Sequence, residues 1–166
     1  PIEHEGTYRL PEAQLDRFLF KIDVNYPDTD QELEILREHH EQKAKNKEDL
    51  VQEVVSIDEI IHFQHLVKLV FVHEDILRYI AQIIAQTRSN PYLSLGASPR
   101  ASIAILEASK ACATLQGRDF VTPEDVKYVA DAILSHRIQL TPEKEMEGFT
   151  PAYIVQQIVE SVEIPR

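Results

Sequence analysis

Arg100 sits where sequence rules argue against a cation. Ser98 is a favourable helix N-cap and Pro99 a favourable first helical residue. In Gly96-Ala97-Ser98-Pro99-Arg100 the guanidinium therefore falls in a first helical turn. The macrodipole and the free N–H groups disfavour positive charge there by roughly 0.3–1 kcal/mol. The same chain obeys the rule at Thr122-Pro123-Glu124-Asp125, where acids fill the first turn. A helix N-terminus that also carries an arginine is suited to hold a phosphate. Such an arginine can also lie in solvent or pair with a nearby carboxylate, and the local pattern leaves these readings open. A second stretch, Gly6-Thr7-Tyr8-Arg9-Leu10-Pro11-Glu12-Ala13-Gln14-Leu15-Asp16-Arg17-Phe18, presents Arg17 between an acid and an aromatic. Taken alone it also fits an ordinary helix end, with Phe18 packed and Arg17 solvated.

Other chemistry is weakly supported. The four glycines, at 6, 96, 117 and 148, form no Gly-x-x-x-x-Gly-Lys-Ser/Thr loop, which phosphate-cradling nucleotide hydrolysis of that kind requires. No apolar strand ends in an Asp-Glu pair suited to Mg²⁺. His62 and His65 share a helical face, followed by His73, but no Cys lies nearby and no Glu separates the pair. They read as structural or surface residues, like His39-His40 in their charged helix, and no metal site is expected. The net charge of −11, without a block of Lys or Arg, argues against nucleic acid and against an anionic membrane surface. Apolar runs are too short to span a bilayer, and no signal peptide is visible. The single cysteine, Cys112, excludes an intrachain disulfide and fits a reducing cytoplasm.

The elements that must position these residues are mostly helical. Leu10-Pro11-Glu12 opens a short helix, and Phe18 to Val24 reads as one strand with Phe18, Phe20, Ile22 and Val24 on one face. As a lone strand its ladder groups lack sheet partners, so residues 1 to about 26 are expected to be the least stable part, packing on the helices or recruiting a second chain. Thr29 and Glu32 form a capping box for a helix to about Lys45, and Ser56 and Glu59 form another. Val70-Phe71-Val72 reads as a brief extended link. Asp75 to Arg88 carries Ile76, Ile80, Ile83 and Ile84, with Leu77 beside them. Ser89 to Ala97 reads as a loop. Pro99 to Gln116 carries Ala104, Ala108, Ala111, Cys112 and Leu115, and Gly117 fits its C-terminal αL position. Thr122 caps a helix with Val126, Val129, Ala130 and Ile133 inward. Thr141 to Phe149 reads as polar and loose. Thr150-Pro151 opens a last helix with Ile154, Val155, Ile158 and Val162.

Together the two chemical stretches resemble the MoxR family of AAA+ ATPases. The resemblance runs from Pro1-Ile2-Glu3 through Gly6-Thr7-Tyr8 and Leu10 to Phe18 to Tyr26-Pro27. It resumes at Thr87-Arg88, Gly96 to Ala101, Gly117 to Val126 and His136-Arg137. It implies an all-α fold: a helical AAA+ lid bundle, residues 28–166, preceded by residues 1–27 as the C-terminal remnant of the nucleotide-binding core. That remnant would hold a short helix and one orphan strand, the last of the core sheet. The chain then reads as the C-terminal part of such an ATPase, beginning just after its sensor-1 asparagine. The resemblance implies Arg17 as an arginine finger acting in trans on the neighbour's γ-phosphate, and Arg100 as the sensor-2 arginine. It implies ATP and Mg²⁺ in the longer protein, self-assembly into a ring, expected to be a hexamer, and chaperone-like maturation of protein complexes. Von Willebrand A-domain proteins would be among the partners. The alternative is a free-standing acidic helical adaptor that binds a partner protein. The Leu10–Phe18 motif discriminates, because an adaptor has no use for an orphan core strand preceded by an exposed arginine.

Overall fold

The computed structural model describes residues 10–41 and 52–165 of the 166-residue chain. The Gly6-Thr7-Tyr8-Arg9 portion of the first motif, and the expected helix continuation toward Lys45, lie outside them. The described residues divide into two compact units, 10–21 with 65–165 and, separately, 22–41 with 52–64. Packing groups residues 10–21 with the helical bundle.

The first unit is built on four helices: α4 (Glu74–Ser89), α5 (Pro99–Leu115), α6 (Pro123–Leu134) and α8 (Pro151–Ser161). Each is amphipathic at the helical period. Ile76, Ile80, Ile83 and Ile84 of α4 are buried, as are Val126, Val129, Ala130 and Ile133 of α6 and Ile154, Val155, Ile158 and Val159 of α8. The inward face of α5 is mostly small: Ala101, Ala104, Ala108, Cys112 and Ala113 flank Ile105. Small side chains suit close helix approach, and α5 with α6 forms the most extensive helix contact. Leu115 departs from the expected stripe and is 89% exposed. It lies about 200° around the helix from buried Ala113, at two residues' remove. Leu77 is likewise exposed, at the margin of the α4 stripe.

Helix ends follow local chemistry. Gly117 takes φ 72° after α5, and Arg118 N–H and Gly117 N–H donate to the Ala113 and Thr114 carbonyls at 2.9 Å. That is the Schellman pattern, for which a residue lacking Cβ is suited. Arg118 then reaches the buried Asp125 in the first turn of α6, with Nη2–Oδ1 2.6 Å and Nη1–Oδ2 2.8 Å. Asp125 also accepts from Thr122 N–H at 2.8 Å and from its hydroxyl at 3.0 Å.

Two segments read as irregular are ordered. β1 (Leu93–Leu95), inside the expected loop, pairs antiparallel with β2 (Gln139–Leu140) across a bulge. Both strands are too short to carry a period-two signal. α7 (Pro142–Met146) occupies the stretch read as loose. Lys144 Nζ lies 4.7 Å from the Tyr92 ring centroid and 5.1 Å from that of Phe149, so one cation closes this segment onto two aromatics. The Val70–Val72 link is confirmed as a parallel bridge, Phe71 to Phe120. α1 (Glu12–Leu15) is the expected short helix. Phe18 to Val24, expected as a strand, forms no β-ladder among the described residues and stays an orphan of any sheet.

In the second unit, α2 (Thr29–Glu41) is capped one residue earlier than expected. Gln31 N–H donates to Asp28 Oδ1 at 2.8 Å, and Asp28 N–H to Gln31 Oε1 at 3.0 Å. The box between Ser56 and Glu59 forms as expected at the start of α3 (Ile57–Leu69), whose residues from His65 onward belong to the first unit. His62, His65, His39 and His40 are exposed. No group of three metal-ligating residues occurs among the described residues, nor any helix long and apolar enough to cross a membrane.

Burial pulls the Asp125 carboxyl upward, but the Arg118 guanidinium and the Thr122 donors outweigh it and hold it near a pKa of about 2. The folded value lies below that of an unfolded aspartate. The stabilisation is thus fully present above about pH 4 and is lost as the pH falls toward 2. Asp125→Asn is expected to cost about 2 kcal/mol at pH 7 and much less near pH 2. Urea unfolding followed by circular dichroism at both pH values checks this.

Candidate functional site

Segment 96–100 is built to present Arg100 at a fixed place. A Cβ on Gly96 would lie 2.7 Å from both the Arg88 Cα and the Thr87 carbonyl oxygen, so only glycine fits against the end of α4. The Ala97 carbonyl accepts from Arg88 Nε at 2.9 Å, and the Ala97 N–H donates to Thr87 Oγ1 at 3.0 Å. Ser98 caps α5, accepting from Arg100 N–H at 3.2 Å. No acid lies in the first turn of α5.

The missing acid comes from elsewhere in the chain. Asp16, in the turn after α1, accepts the Ser98 hydroxyl at 2.9 and 3.0 Å and lies 3.4 Å from Arg100 Nη1. The electrostatic irregularity of α5 is thereby answered in space by a carboxylate 84 residues away. Arg100 remains half exposed, at 52% of its side chain.

The strongest element of this cluster is Arg137, just beyond α6. Its side chain is 1% exposed. Nε donates to Asp16 Oδ1 at 3.2 Å, and Nη2 to the Asp16 and Phe18 carbonyls at 3.2 and 2.5 Å. Nη1 donates to the Ile133 carbonyl at 2.6 Å and the Leu19 carbonyl at 3.3 Å. His136 Nε2 meets the Phe18 carbonyl at 3.1 Å, and Lys21 N–H donates to the Ala132 carbonyl at 2.9 Å. Within the expected strand, the backbone groups of residues 18, 19 and 21 find partners, which is the packing on the helices that its lack of a sheet left open. Their partners are on the helical bundle rather than in a sheet.

Burial pushes the pKa values of His136 and Arg137 down. In Arg137 Asp16 opposes the shift, and a guanidinium remains charged regardless. With Nε2 donating to the Phe18 carbonyl, His136 Nδ1 is buried without a partner among the described residues. Arg17 is exposed, and its side chain makes no hydrogen bond or ion pair among the described residues. A cleft of about 590 Å³ opens beside the cluster, with Phe18, Phe20 and Ile138 on its walls.

The AAA lid domain family matches residues 85–158. The chain is 41% identical to the Bacillus subtilis protein YeaC, itself described as uncharacterized, over 99% of this chain and 51% of that one. It is 34% identical to the chaperone MoxR1 of Mycobacterium tuberculosis, over 100% of this chain and 45% of that protein. The chain belongs to the MoxR family of AAA+ ATPases. A crystal structure of a Cytophaga hutchinsonii protein provisionally described as an ATPase superposes with a TM-score of 0.87 at 36% identity, over 100% of this chain and 52% of the other. The chain thus spans about half the length of the relatives that it matches.

In this MoxR-family chain, the two arginines singled out in the sequence lie on segments that the fold joins. Asp16, the neighbour of Arg17, touches Arg100 directly. Sequence reasoning missed Asp16 and Arg137 as the joining residues. The available signal was that both lie in stretches carrying the family resemblance, Asp16 in Leu10 to Phe18 and Arg137 in His136-Arg137.

Arg137→Met is expected to free residues 16–21 while the bundle core stays folded. Losing even one charge-assisted hydrogen bond, about 1.5–3 kcal/mol, should speed tryptic cleavage after Arg17 by at least about tenfold. Cleavage at the unaltered rate would mean that the clasp does not hold the segment.

Proposed function

We propose that this chain is the lid-bearing part of an ATPase that assembles into a ring, with ATP and Mg²⁺ as substrate and metal of the longer protein. Arg17 is the finger that a subunit offers to the nucleotide of its neighbour, and Arg100 is the sensor-2 contact from the lid. The observation that carries this reading is the junction of the two segments. Asp16 joins an exposed arginine, unpaired among the described residues, to a half-exposed arginine at a helix N-terminus.

Both guanidiniums fit a phosphate. Each is permanently charged and able to grip two oxygens, and neither is committed to a buried partner. ATP would supply the phosphoryl group and Mg²⁺ the charge neutralisation; Arg17 and Arg100 would bind and orient. The name chaperone carried by MoxR1 supports chaperone-like work on protein complexes, with a ring of six copies and von Willebrand A-domain proteins as the proposed assembly and partners. The cytoplasm is the proposed compartment.

The 166-residue chain by itself is expected neither to turn over ATP nor to bind it tightly, because its sequence has no phosphate-cradling loop. Turnover by the pure chain would refute the reading.

In the full-length protein, Arg17→Ala should lower kcat by about 10³–10⁵ while binding is nearly kept, since a finger meets charge that develops in the transition state. Arg100→Ala should weaken binding and turnover together. Rings mixing Arg17→Ala subunits with subunits altered at the P-loop lysine should regain activity where an intact finger faces an intact P-loop. No rescue, in rings proven to be mixed, would show that Arg17 does not act in trans.

A further inference from the structure

Asp16 serves two arginines of unequal commitment. Arg137 is buried and bonded at once to the Asp16 carboxylate and to four carbonyls, those of Asp16, Phe18, Leu19 and Ile133. Arg100 touches the same carboxylate through one contact of 3.4 Å, with half its side chain in solvent. Exposed pairs of that kind are weak, while a buried, multiply bonded guanidinium has no alternative partner in water. The Ser98 hydroxyl gives the carboxylate a further donor on the α5 side.

We propose that Asp16 is a positioning residue: an exchangeable counter-ion that holds Arg100 until a nucleotide phosphate takes it over. This rests on the phosphate role of Arg100 put forward above. The exchange swaps only the anion that Arg100 holds; Asp16, still bonded to the Ser98 hydroxyl, keeps negative charge before the α5 N-terminus. Arg100 departs, but Arg137 and Ser98 keep Asp16 in place. Arg17, the next residue, therefore keeps its position through the exchange. One carboxylate thus sets the affinity of the lid arginine while anchoring the finger.

The test is a double-mutant cycle in the full-length protein, read by calorimetric binding of a non-hydrolysable ATP analogue. Asp16→Asn keeps the side chain's size and removes its charge, releasing Arg100 from its competitor. It should tighten analogue binding about two- to fivefold, the scale of an exposed ion pair. Arg100→Ala should weaken binding, and in that background Asp16→Asn should have no further effect. Asp16→Asn that leaves binding unchanged or weaker, or tightening that persists without Arg100, would overturn the proposal alone. Arg100→Ala that binds as tightly as the unaltered protein would overturn both this proposal and the phosphate reading. Should Asp16→Asn fail to fold, the unaltered protein still decides. Adding the analogue should leave amide protection of Lys21 intact or raised, because Arg137 does not move. Loss of that protection would show that the segment is released along with Arg100, contrary to the proposal.

Discussion

Three carbonyls of one short segment, those of Asp16, Phe18 and Leu19, are satisfied by a single buried guanidinium. A segment without ladder partners must find donors elsewhere or stay in water. Arg137 supplies them from the end of α6, at a point where its own Nη1 also closes on the Ile133 carbonyl. The last turn of α6 and residues 16–19 thereby become one piece of structure. The rest of the site depends on this clasp: Asp16 faces Ser98 and Arg100 because its backbone is pinned, and Arg17 projects outward from the same turn.

The anchoring works because the other side of the contact is equally fixed. Gly96 leaves no gap between the 96–98 loop and α4, and Thr87 and Arg88 hold Ala97 by both its N–H and its carbonyl. Ser98 then faces Asp16 without the loop needing to adjust. Two rigid supports, α4 through Thr87 and α6 through Arg137, converge on one carboxylate. That arrangement lets a weak Arg100 contact be exchangeable without loosening the segments around it.

Much of this was legible in the sequence, and the boundary is physical. The α4, α6 and α8 stripes, the Gly117 stop and the Ser98 and Ser56 caps are local patterns, so they could be read from neighbours within four residues. The α5 stripe failed at Leu115 because a row of small residues does not fix a face as sharply as large ones do. α7 was missed because its order comes from Lys144 against Tyr92, a residue about fifty positions earlier. The site divided in the same way. Arg100 was marked by a local electrostatic irregularity, and Arg17 by a motif. Asp16 and Arg137 act across 82 to 121 residues, and no local pattern announces a carboxylate that completes a distant helix cap.

All three cations of the candidate site are arginines, and the geometry explains the preference at one of them directly. At position 137 the side chain must address carbonyls on two segments and a carboxylate oxygen at once, from directions fixed by a planar fork of five N–H donors. A lysine ammonium offers three donors from one point and would leave some of those buried acceptors unpaired. It would also be easier to neutralise, since burial already pushes the basicity of this site down. At positions 17 and 100 the demand is different, because both face solvent. Permanent charge and a two-pronged grip matter there only if the ligand has paired oxygens. The same side chain thus serves inward at position 137, to hold a segment still, and stands outward at positions 17 and 100, where the proposed ligand is a phosphate.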